Sequence, residues 1–172
     1  MASGNAVGLT WKQTVARFVL GMDFDPLSIP ELACQLLQEG HDTQGLRLLA
    51  GESRPTEVPL IEPFRRVLSE IGLLPMAPET AAVILACEVA RDIVAGTMTP
   101  HDGIHRIWSL VAAVPAVRCL PAFGDIEKTS ADMWYYWPYH EDKYSALVRQ
   151  YAEAILVAHD AGAAKQPPGD PR

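Results

Sequence analysis

Apolar residues recur along most of this chain three and four positions apart, which is the spacing of one face of an α-helix. The clearest stretch contains Leu60, Ile61, Phe64, Val67, Leu68 and Ile71. We expect this helix to begin near Glu62, because Pro63 is tolerated only in a first turn, and to end at Gly72. No segment alternates strictly between apolar and polar residues, as half-buried strands do. The pattern therefore predicts an all-α fold.

Glycines and prolines separate the other predicted helices. These helices cover residues 11–20, 29–39, 43–50, 80–95, 100–111, 122–128 and 142–159. Ser28 and Glu31 have the spacing of a capping box, and Asp42 precedes a helix as an N-cap residue does. Thr99 is a second N-cap candidate, because a proline follows it at the first helical position. Residues 133–139 show no period that predicts an element.

The length of 172 residues suits one domain, because two complete hydrophobic cores need a longer chain. We expect a single compact bundle of about seven helices over residues 9–161. Residues 1–8 are small and polar, and residues 162–172 are rich in proline and glycine. Both ends are predicted to be flexible, since they carry little apolar surface to bury.

Charge and cysteine content narrow the possible partners and the compartment. Twenty-one Asp and Glu against fourteen Lys and Arg give a formal net charge of −7, which disfavours nucleic acid as a partner. No apolar stretch suits a signal peptide or a bilayer span, so no membrane partner is expected. Cys34, Cys87 and Cys119 lack metal or disulfide spacing, and each is predicted to be a small buried apolar side chain. A cytoplasmic protein is expected.

Two segments carry a family resemblance. Residues 46–52 read Leu-Arg-Leu-Leu-Ala-Gly-Glu, and residues 93–108 begin with Ile-Val-Ala-Gly and end with His-Arg-Ile-Trp. They resemble segments of small, uncharacterised all-helical bacterial proteins. The matching positions are helix ends and core residues, so the resemblance implies a helical fold and no particular activity.

One set of polar residues has the spacing of a helical metal site. Glu88 and Asp92 lie four apart on one predicted helix, and His101 and His105 lie four apart on the next. An antiparallel hairpin would bring two imidazoles and two carboxylates together, a ligand set suited to Zn, Fe or Mn. Such a site would support a metal-dependent hydrolase or oxygenase. The alternative is that the histidines shield an aromatic ring and the acids form a solvated stripe.

Other catalytic patterns do not occur in the sequence. There is no G-x-S-x-G nucleophile motif and no glycine-rich phosphate loop of either common form. No catalytic residue is therefore assigned, and an enzyme is not the favoured interpretation.

Aromatic residues crowd the last third of the chain. Of the thirteen Phe, Trp and Tyr residues, seven lie between positions 134 and 151: Trp134, Tyr135, Tyr136, Trp137, Tyr139, Tyr144 and Tyr151. The acidic pair Glu141 and Asp142 follows the densest part. Tryptophan and tyrosine dominate binding hot spots, because they combine large contact area with a polar group. The alternative is a structural role, in which the rings pin this segment across the bundle.

The favoured interpretation is an acidic cytosolic interaction module, of immunity or adaptor type, that recognises a basic protein surface. Its partner-binding residues would be Trp134, Tyr135, Tyr136, Trp137, Tyr139, Glu141 and Asp142. The His/carboxylate metal site is the alternative. A pocket for an apolar small molecule, lined by the same aromatic residues, is a second alternative. The oligomeric state is left open.

Overall fold

A computed structural model describes residues 10–22, 24–55, 59–119 and 121–163. Every regular element within these residues is helical, and none of them forms a strand. The eight α-helices are α1 (Trp11–Val19), α2 (Ile29–Gln38), α3 (Gln44–Ala50), α4 (Ile61–Glu70), α5 (Pro78–Ala95), α6 (Pro100–Ala113), α7 (Pro121–Tyr136) and α8 (Glu141–Ala163). Short 3-10 helices cover Pro26–Ser28, Pro115–Cys119 and Trp137–Tyr139. The all-α prediction is confirmed.

The chain divides into two compact units, residues 1–81 and residues 82–172, and the division falls within α5. The predicted flexible start, residues 1–8, lies outside the described residues, and so do residues 164–172 of the predicted tail. Helix α8 extends two residues into that predicted tail. No helix among the described residues has both the length and the apolar character that a bilayer crossing requires.

The first unit is built on an apolar cluster contributed by α1 to α4. Phe18, Phe24 and Phe64 pack ring against ring, with centroids 5.1 to 5.9 Å apart. Helices α3 and α4 touch at Gly45, where a Cβ atom would overlap the side chain of Val67. Only glycine allows this approach, because any larger residue would push the two helices apart.

The second unit buries residues from α5, α6, α7 and α8. Its largest fully buried side chains are Ile93, Ile104, Ile107, Val111, Ile126 and Met133. Helices α5 and α6 approach at Gly103, where a Cβ atom would stand 2.5 Å from Ile93. Each unit therefore contains a glycine where two helices approach closely.

The predicted glycine stops and one predicted cap are confirmed. Gly21, Gly72 and Gly96 follow their helices with φ of +62°, +75° and +74°, the left-handed conformation that glycine adopts without strain. The Thr99 hydroxyl accepts the backbone N–H of Asp102 at 3.1 Å, so α6 begins as predicted.

Two predicted caps are wrong. The Ser28 hydroxyl donates to the Asp25 carbonyl at 2.6 Å within a 3-10 turn, so it does not form a capping box with Glu31. Thr43 caps α3 in place of Asp42, whose carboxylate binds the Arg47 guanidinium at 2.6 and 2.8 Å. That hydrogen-bonded pair lowers the pKa of Asp42. In both cases a neighbouring donor or acceptor competes for the capping side chain.

The cysteine prediction is confirmed in part. Cys87 is buried, and this burial raises the pKa of its thiol to about 11. Cys34 is exposed, so its predicted burial is wrong. The side chain of Cys119 lies outside what the structure describes.

Candidate functional site

The aromatic segment occupies a junction between two long helices. Helix α7 is longer than predicted and continues to Tyr136, and the 3-10 turn Trp137–Tyr139 joins it to α8. The backbone N–H of His140 donates to the carbonyls of Tyr136 and Trp137, at 3.1 Å each. The segment therefore has a defined helical backbone, and its side chains project in directions that the helix geometry fixes.

Part of the aromatic segment faces the interior of the second unit. Trp137 is only 8% exposed and stacks on Tyr144, with ring centroids 5.9 Å apart and planes 19° apart. The His101 ring meets the same indole edge to face, with ring centroids 5.0 Å apart. Trp137 was predicted to contact a partner, but its ring is buried among these neighbours, so it anchors the segment to α6 and α8 instead.

The tyrosines of the segment face outward. Tyr135 is 72% exposed, Tyr136 44% and Tyr139 76%. The rings of Tyr135 and Tyr136 meet edge to face, with centroids 4.8 Å apart. The side chain of Trp134, which was also predicted to bind a partner, lies outside the described residues. Three large rings are thus accessible within five consecutive positions.

Two exposed carboxylates follow these rings in the chain. Glu141 and Asp142 are exposed on the first turn of α8, where acidic side chains interact favourably with the positive end of the helix dipole. Lys143 follows, with its Nζ 5.6 Å from the centre of the Tyr144 ring. We call the set Tyr135, Tyr136, Tyr139, Glu141 and Asp142 the tyrosine face.

The first turns of α6 carry a second candidate site. The rings of His101 and His105 lie 4.7 Å apart, centroid to centroid. They line an open cleft of about 580 Å³ together with Thr97, Met98, Thr99, Asp102 and Arg106. Desolvation lowers the pKa of His105, and the neighbouring His101 lowers it further, while Asp102 opposes both effects.

The structure does not assemble the predicted four-residue metal site. No three His, Cys, Asp or Glu side chains in the described part of the chain converge on a point where a metal ion could bind. Asp92 lies at the end of α5, where its Oδ1 is 3.3 Å from the Thr97 hydroxyl. Glu88 lies one turn earlier and is half-buried. The two histidines are brought together, and the two carboxylates do not join them.

A further cleft, of about 640 Å³, opens between α3 and α4 in the first unit. Its apolar lining includes Leu48, Leu49, Leu60 and Val67, and its polar lining includes Glu52, Arg66 and Glu70. Neither this cleft nor the one on α6 is lined by a ring of residues 134–151, so the predicted aromatic pocket does not correspond to either. Gly45, the second residue of α3, also lines this cleft.

No protein-family model, curated protein or solved structure matches this chain. What the chain does is therefore inferred from its own residues.

Proposed function

We propose that this chain is an acidic cytosolic interaction module whose tyrosine face binds a basic protein surface. The observation that carries the proposal is the exposure of Tyr135, Tyr136 and Tyr139 on a backbone anchored by the buried Trp137. An immunity-type or adaptor role fits this chemistry. The proposal keeps the predicted fold, which is a single compact bundle of about seven helices. The resemblance to small all-helical bacterial proteins is consistent with that fold.

The chemistry of the face favours arginine over lysine in the partner. A guanidinium group stacks on aromatic rings and also forms bidentate hydrogen bonds with carboxylates. The tyrosine face offers both, because Glu141 and Asp142 follow its exposed rings closely in the chain and are exposed themselves. The net charge of −7 would also speed encounter with a basic surface at low salt. An aromatic centre beside charged groups is the usual anatomy of a binding hot spot.

The test uses defined peptides as probes. Fluorescence anisotropy would compare a labelled arginine-rich peptide with lysine-rich and glutamate-rich peptides of equal length. We expect the arginine peptide to bind most tightly, and Tyr139→Ala to weaken it by about tenfold, since truncating a hot-spot residue costs more than about 1 kcal/mol. Tyr139→Phe, which keeps the ring, should retain most of the affinity.

A charge-matched control separates the face from the overall acidity. The double variant Glu141→Gln/Asp142→Asn should weaken the arginine peptide more than Glu31→Gln/Glu39→Gln, which removes the same charge from exposed positions of α2 and its end. The proposal would be refuted if the two double variants lost equal affinity for the arginine-rich peptide. It would also be refuted if Tyr139→Ala bound that peptide as tightly as the unaltered chain.

A further inference from the structure

We propose that His101 and His105 form a binding site for one divalent transition-metal ion of the kind that prefers imidazole, namely copper(II), nickel(II) or zinc(II). The site differs from the four-residue set predicted from the sequence, because both protein ligands come from α6 and water completes the coordination shell. It is also independent of the tyrosine face.

The local fold places the two imidazoles on one side of α6. Residues four apart lie one above the other on a helix, and the start of α6 is fixed by the Thr99 cap and by Pro100 at the first position. Both ligands are therefore held on the same rigid element, so a metal ion does not have to fold the chain around itself.

The separation of the rings suits a shared ion. A metal ion about 2.0–2.1 Å from each imidazole nitrogen lies roughly 3.2 Å from each ring centre, so tetrahedral ligation separates the two centres by about 5 Å. The observed separation is 4.7 Å, with the ring planes at 73°. The two centres are therefore about as far apart as ligation of one ion by both rings requires.

The surroundings select the type of ion. The cleft is open to solvent and has a volume of about 580 Å³, which leaves room for water ligands. Arg106 and the positive end of the α6 dipole oppose a cation, whereas the Asp102 carboxylate, 3.9 Å from His101 Nδ1, attracts one. An ion that gains little from imidazole, such as calcium or magnesium, would not overcome this balance. Copper(II), nickel(II) and zinc(II) gain strongly from nitrogen ligands.

A tryptophan beside the two histidines can report metal binding. The indole of Trp137 lies 5.0 Å from the His101 ring, so bound copper(II) or nickel(II) would quench its fluorescence.

The experiment measures metal binding to the full chain by equilibrium dialysis and tryptophan fluorescence at pH 7.5, with copper(II) and nickel(II) as chloride salts. We expect one ion per chain, with affinity reduced about tenfold or more in His101→Ala and in His105→Ala. His159→Ala is the matched control, because His159 lies on α8 beside Asp160 and is not part of the cleft. Trp137→Phe should bind the ion normally and lose the largest part of the quenching.

His105→Gln guards against a folding artefact, since it keeps a side chain of similar size and leaves the contact between His101 and Trp137 in place. Weak binding by this variant with an unchanged circular dichroism spectrum supports the site. His159→Ala should bind copper(II) or nickel(II) as the unaltered chain does. If His105→Gln also binds them as the unaltered chain does, the proposal is overturned.

Discussion

The two units of this protein use their aromatic residues differently. In the first unit, Phe18 of α1, Phe64 of α4 and Phe24 pack against one another in the apolar cluster. In the second unit, Trp137 and Tyr144 are buried whereas the neighbouring tyrosines are exposed. A phenylalanine ring has no polar atom and is stabilised by burial, but a tyrosine hydroxyl can remain in water. The comparison teaches that the first cluster is structural and that, among the described residues, the second unit leaves tyrosine rings exposed to solvent.

Phe64→Ala should produce the largest loss of stability. Its ring is fully buried in the first unit and contacts both Phe18 and Phe24, so truncation leaves a cavity. We expect about 3–5 kcal/mol of destabilisation in urea denaturation followed by circular dichroism. Leu48→Ala, on the exposed side of α3, is the control and should change stability by less than about 0.5 kcal/mol. Similar losses of stability in the two variants would contradict a structural role for the phenylalanine cluster.

Within the second unit, Trp137→Ala and Tyr139→Ala should differ sharply in their loss of stability, although the two residues are only two positions apart. Removing the buried indole should cost about 3 kcal/mol or more, because it strips the packing from Tyr144 and His101. Removing the Tyr139 ring, which is 76% exposed, should cost about 0.5 kcal/mol or less. Denaturation curves of both variants check this, and an equal cost would mean that the tyrosine face is part of the core.

Gly45→Ala should destabilise the first unit by about 1–3 kcal/mol, because its Cβ atom would overlap the stiff side chain of Val67 and outweigh the helix propensity of alanine. Gly51→Ala is the matched control, since the nearest atom to its Cβ is the Arg47 carbonyl oxygen at an ordinary 3.4 Å. Thermal denaturation compares the two. A stabilised Gly45→Ala variant would show that α3 and α4 do not need this close approach.

The smallest expected effect is the pH dependence of stability that His105 gives to the second unit. Because the folded chain lowers the pKa of His105 below its ordinary 6.5, the unfolded chain binds that proton more readily. The associated stability is complete above pH 6.5 and is lost as the pH falls through that value to the lowered folded pKa. Urea midpoints between pH 5 and pH 8 should therefore show a weaker fall on acidification in His105→Gln than in the unaltered chain. Parallel curves would contradict this.

Local signals predicted most of the helices correctly. The period of Phe64, Val67 and Leu68 and the glycine after it fixed the limits of α4 closely. The Thr99 cap was equally clear, because a hydroxyl, a proline and an acidic residue agree at positions 99, 100 and 102. The caps at Ser28 and Asp42 were predicted wrongly, since Asp25 and Arg47 compete for those side chains only once the turns have formed.

The candidate sites show a sharper limit. The spacing of His101 and His105 was sufficient to predict their proximity, because both belong to one helix. Whether Glu88 and Asp92 join them depends on the rotation of α5 and on the turn that follows it, which no short spacing encodes. Composition alone located the aromatic segment. It did not predict which of its rings are buried and which are exposed.

The sequence by itself determined the helical class, the glycine stops and the crowding of rings in residues 134–139, because these properties follow from periodicity and from the chemistry of single residues. The tertiary structure decided that Trp137 turns inward onto Tyr144 and His101 while Tyr135 and Tyr139 turn outward. Burial is a property of packing among helices far apart in the chain, so it is set only when those helices meet.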